Sequence, residues 1–157
     1  VTNGFKDFQE FAEWCQTQYG YMNKEGNGKF WSLDKDLKIF GNKEYTSTAC
    51  IFVPSRINGI LINKAAKRGN WPIGVSWSKR ELKFQSTCSQ GKSRNKNLGI
   101  FSCPLEAHKA WQRYKMQYIR KICVDDKEIS AHTDLVQILL AQAQRIEDDL
   151  RSHRETI

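Results

Sequence analysis

Apolar residues recur along this chain in two rhythms, about 3.6 and 2 positions apart, and most stretches follow one of them. Phe5, Phe8, Phe11, Ala12, Cys15 and Tyr19 return at helical steps with acids between them, which predicts an amphipathic helix ending near Gly20. Asn23 to Gly28 is rich in Gly and Asn and reads as a loop. Lys29–Phe40 and Glu44–Val53 then alternate, predicting two strands about a turn at Gly41-Asn42, with Pro54 stopping the second. Ser55 is placed to cap a short helix from Arg56 to Ile62, with Ile57, Ile60 and Leu61 inward. Alternation resumes over Ile73–Trp77, Lys83–Ser89 and Lys96–Ile100, with Gly91 to Asn95 as the loop before the third strand. Pro104 suits the first position of a helix on which Ala107, Trp111, Tyr114, Tyr118 and Ile122 form one stripe, fitted to lie across a sheet. A last helix is predicted from Thr133 to about Arg154, with Leu135, Ile138, Leu139, Gln142, Ile146 and Leu150 on one side.

The expected fold class is therefore α+β. A helix, hairpin and helix occupy residues 1–62, a basic linker 63–71, a three-stranded antiparallel sheet on one helix 72–123, and an acidic carboxy-terminal helix 124–157. Charge sharpens this division. Residues 64–121 hold fourteen Lys and Arg against two acids, whereas 1–63 hold seven of each and 122–157 hold four against eight. A field of that sign concentrates polyanions and releases their counterions. A solubilising basic face is the plainer alternative. The acidic last helix reads as a packing element or as the seam of a homodimer. No apolar run approaches the ~18 residues of a membrane span, and no lipidation or secretory signal is visible, so no membrane partner is expected. Five cysteines lie far apart without a CxxC pair, which predicts reduced, mostly buried thiols and a cytoplasmic setting, that of the host cell for a viral protein. The chain opens at Val1 rather than at a methionine, which leaves room for an upstream segment.

Strand alternation sorts the basic module into faces. With Val75, Trp77, Phe84, Ser86, Cys88 and Leu98 against the helix, Ser76, Ser78, Gln85, Thr87, Ser89, Asn95 and Asn97 point the other way. That face carries no acid. A strand ribbon fits the major groove, where Asn and Gln pair with adenine edges, while Arg80, Lys83, Lys92, Arg94 and Lys96 at the strand ends are placed for phosphates. The expected partner is double-stranded DNA.

Gly74-Val75, Phe84, the run Leu98-Gly99-x-Phe101 and the helix start Pro104-Leu105-Glu106-Ala107 give this module its resemblance to the Apetala-type, or ethylene-response-factor, DNA-binding domain, which also occurs in nucleases of tailed bacteriophages. The resemblance implies a sheet laid in the major groove and contact positions at Ser76, Ser78, Arg80, Thr87, Ser89, Asn95 and Asn97. The plant domains fill these places with Arg, Trp and Glu. Mostly Ser, Thr and Asn stand here, which implies weaker choice among base sequences.

The amino-terminal half, through Trp31, Leu33-Asp34-Lys35-Asp36, Gly41-Asn42, Tyr45, Cys50, Phe52-Val53-Pro54 and Ile57-Asn58, resembles phage proteins of the HNH or homing-endonuclease type. That resemblance implies a hairpin and helix holding one divalent ion, with a histidine deprotonating water. The chemistry is incomplete here. His108, His132 and His153 all lie outside this half, and Ala49 stands where the motif's middle Asn belongs. The expectation is weak or absent metal-dependent nicking, with Asp34, Asp36 and Asn58 as the catalytic and metal-binding set for Mg2+ or Mn2+. Two other readings stand beside it, a non-catalytic DNA-binding or regulatory protein and an interaction protein whose acidic helix docks a host factor.

Overall fold

A computed structural model of the chain describes residues 2–39, 41–61, 70–91 and 95–156. Its described residues are mixed α+β and divide into two compact units, residues 1–59 and 60–157. Most of the expected linker, including Lys64, Lys67 and Arg68, lies outside the described residues, as do Lys92 and Arg94.

The first unit begins with β1 (Thr2–Asn3) and α1 (Phe8–Thr17). Asp7 fixes the start of α1 by accepting a hydrogen bond from the Glu10 amide at 2.9 Å. Phe5 therefore precedes the helix, and Phe8 in its first turn is 79% exposed instead of joining the apolar stripe. The remaining stripe packs on Trp31, Phe52 and Leu33 around buried Cys15. β2 (Ser32–Asp34) pairs antiparallel with β4 (Ile51–Val53), and α2 (Ser55–Leu61) follows. The two long hairpin strands are thus cut to three residues each. Asp34 explains the first break, because its Oδ1 accepts from the amides of Asp36 at 3.0 Å and Leu37 at 2.8 Å and folds the chain out of the ladder. Asn42 closes the excursion by donating to the carbonyls of Lys35 and Glu44, and β3 (Glu44–Tyr45) pairs with β1 in parallel. The expected loop at 23–28 is anchored as well. Glu25, only 5% exposed, accepts from the Arg56 amide at 3.2 Å and pairs with its guanidinium.

In the second unit β5 (Val75–Ser78), β6 (Lys83–Ser89) and β7 (Asn95–Phe101) form an antiparallel sheet in that order. α3 (Pro104–Asp125) lies on it, α4 (Lys127–Ser130) makes a turn capped by Asp126, and α5 (Thr133–Arg151) returns along α3. α3 is covered on two sides. Its buried set is Ala107, His108, Trp111, Gln112, Lys115, Ile119 and Cys123, which is wider than the stripe expected from a sheet alone. Tyr114 and Tyr118, stacked at 5.9 Å, are held to the end of β6 through Gln90. Leu135, Leu139, Ala143 and Ile146 of α5 are buried, and the helix packs along α3 of the same chain.

Lys115 is the least expected member of this core. It is 6% exposed, donates to the Ile60 carbonyl and lies 5.9 Å from the Trp111 ring centroid. Burial pushes its ammonium below the usual lysine range. The unfolded chain, with a lysine pKa of ~10.4, then binds more protons than the folded chain between the two values, so stability rises with pH across that window. Chemical denaturation followed toward about pH 10 should show the parent gaining on Lys115→Met. Parallel curves for the two proteins would mean that the buried amine titrates as it does in water.

Candidate nucleic-acid interface

Register places the open face of the second unit's sheet. Ser76 stands opposite Gln85, and Gln85 opposite Ile100; Ser78 pairs with Lys83, Thr87 with Asn97 and Ser89 with Asn95. Cross-strand partners share a face, so Ser76, Ser78, Gln85, Thr87, Ser89, Asn95 and Asn97 lie together, opposite the side on which Val75 and Ser86 meet α3. Lys83 joins them at one end. Lys96 pairs with buried Cys88, which assigns its backbone to the helix side, yet it is exposed at the strand end.

Alternation misses Ile100, which is 40% exposed on this face. The cause is a bulge in β7. Ser86 pairs with Gly99 but Thr87 with Asn97, so Leu98 is an extra residue and the strand changes phase there. Gly99 makes the bulge possible, since its φ of +124° is open to glycine at little cost. Asn97 fastens the bulge by accepting from the Gly99 amide at 3.0 Å through Oδ1. That oxygen is the one a bidentate adenine contact needs. Asn97 is thus partly committed to the fold, whereas Gln85 and Asn95 make no side-chain hydrogen bond among the described residues.

The two serines at the strand ends also hold local turns. Ser78 Oγ accepts from the Glu81 amide at 3.3 Å and Ser89 Oγ from the Gly91 amide at 3.4 Å. Arg80 forks onto Glu81 at 2.7 Å with both side chains exposed, a pairing weak enough for a phosphate to displace. Behind the sheet, His108 is 2% exposed, with Nδ1 at 2.9 Å from the Ile73 carbonyl and Nε2 at 3.1 Å from the Thr156 amide. A carbonyl only accepts and an amide N–H only donates, so the ring carries its proton on Nδ1. Gln112 adds bonds to the Arg154 carbonyl and Thr156 hydroxyl. These contacts clasp the residues after α5 to α3. His132 likewise serves the fold, accepting from the Leu135 amide as the cap of α5.

In the second candidate set the two carboxylates are engaged locally. Asp34 holds its turn, Asp36 is ion-paired with Lys35, and no hydrogen bond joins either carboxylate to Asn58 on α2. Ala49 is buried and offers no ligand. Among the described residues no group of three or more His, Cys, Asp or Glu gathers at a spacing that holds a metal ion. Cys15, Cys50, Cys88 and Cys123 are buried free thiols whose burial pushes each above the usual thiol range, and Cys103 is exposed. No described helix is long and apolar enough to cross a membrane.

No protein family, curated protein or solved structure matches the chain.

Proposed function

We propose that this protein binds double-stranded DNA with the open face of the β5–β6–β7 sheet. The observation that carries this reading is the face itself. Seven hydroxyl and amide side chains share it, no carboxylate interrupts it, Lys83 stands at one end of it, and Lys96 is exposed at the start of β7 beside it. Hydroxyls and amides bond base edges and phosphate oxygens alike, while the lysines contribute counterion release. Gln85 and Asn95 are the side chains best suited to adenine, and Ile100 supplies apolar contact of the kind a thymine methyl accepts. No bond-breaking step is assigned to Asp34, Asp36 or Asn58; the two carboxylates serve a turn and an ion pair.

Salt dependence tests the face. In fluorescence anisotropy with a short mixed-sequence duplex, the parent should bind more weakly as salt rises. The double variant Lys83→Glu, Lys96→Glu should lose on the order of 100-fold in affinity and flatten the logarithmic salt slope by about 2. A double variant with the parent's slope and affinity would place the DNA elsewhere.

A further inference from the structure

The β5–β6 connection carries a residue that its own fold disfavours. Leu82 has φ +50°, in the left-handed region that leucine avoids, and it is 71% exposed. Glycine or asparagine would occupy that backbone more easily, and a polar side chain would suit that exposure better. Strain and solvent-facing apolar surface thus coincide at one position, without a packing gain inside the chain. Such an outlier points to a contact made with something else.

Its surroundings say what kind of contact. Lys79, Arg80 and Lys83 flank the tip against the single acid Glu81, and all four are exposed. A polyanion is the partner that this charge fits. The base of the hairpin is stiff: Trp77 meets the Phe84 ring edge to face at 5.0 Å, Trp71 meets it at 4.8 Å, and Ser78 closes the turn onto Glu81. A stiffly mounted apolar side chain ringed by bases has the form of the wedges that part stacked base pairs. Five residue steps separate Leu82 from Thr87 at the sheet centre, an extended reach of roughly 17 Å. The tip therefore meets DNA beyond the base pairs lying under the middle of the sheet.

We infer that Leu82 enters the base stack of duplex DNA beside the sheet's footprint, so that the protein favours steps that are already unstacked or easily kinked. This inference rests on the sheet being the DNA-binding face. Unstacking is least costly at a mismatch, so a mismatched step placed under the tip gains most.

The test compares two duplexes of one sequence, one fully paired and one with a single mismatch moved along the site, against the parent and Leu82→Gly. Glycine relaxes the left-handed backbone, so the variant folds at least as well as the parent. The parent should prefer the best-placed mismatch by roughly tenfold, with 2-aminopurine beside it brightening on binding. Leu82→Gly should lose the preference and the brightening. A preference that survives in Leu82→Gly, or a parent that binds both duplexes equally, would overturn the wedge and leave the sheet reading standing. A parent that binds neither duplex at low salt would remove the sheet reading and the wedge with it.

Discussion

Gly74→Ala is expected to destabilise the second unit by about 3 kcal/mol or more, from left-handed strain of ~1–2 kcal/mol combined with overpacking of ~1–3 kcal/mol. Gly74 sits at φ +78°, and an added Cβ would lie 2.1 Å from Trp111 Cδ1, 2.4 Å from Cγ and 2.9 Å from Cβ. The indole has little room to yield, because it is buried and stacks on His108 at an interplanar angle of 11°. Whole domains are stable by only ~5–15 kcal/mol, so this one methyl group removes a large part of the total. The measurement is a urea midpoint followed through amide signals of β6 and β7, with DNA binding assayed alongside. An unchanged midpoint would mean that Trp111 and the turn before β5 can separate without penalty.

His108→Ala should cost the same unit about 2–4 kcal/mol. The substitution empties a buried volume and strands two backbone groups at once, the Ile73 carbonyl and the Thr156 amide. A cavity alone would lower the midpoint. Loss of the clasp should also raise hydrogen exchange at Thr156 far more than at Ile119, which lies deep in α3. Uniform acceleration at both positions would point to general loosening instead. His108 and Trp111 stand one turn apart on α3 and hold the neighbouring residues Ile73 and Gly74, so the two variants strike one junction.

Sequence rhythm carried the second unit well because its elements obey ordinary rules. The three strands, the Pro104 start and the apolar side of α5 all follow from alternation, capping and helical periodicity. The pair Gly74-Val75 and the run from Leu98 to Phe101 have physical causes in a close indole contact and a bulge, which a single sequence does not display. Periodicity failed where a polar residue was buried. His108, Gln112 and Lys115 each satisfy a distant backbone group, and nothing local marks them as core residues. In the first unit, alternation from Lys29 to Val53 promised a simple hairpin, but Asp34 and Asn42 can bond nearby backbone and did so, shortening both strands. The open face was legible as far as the bulge. Beyond it Ile100 appears where counting by twos forbids it.

Leu98, the extra residue in β7, gives the open face a direction. Asn95 and Asn97 occupy one end, Ile100 the zone beside Gln85 and Ser76, and Lys83 the far end near the hairpin tip. Because the phase changes midway, the amides of β7 and its exposed hydrocarbon are separated along the strand axis instead of mixed. A linear polymer lying on such a surface meets a different chemistry at each end and cannot be turned around without changing its contacts. One residue out of step thus makes the face a vector.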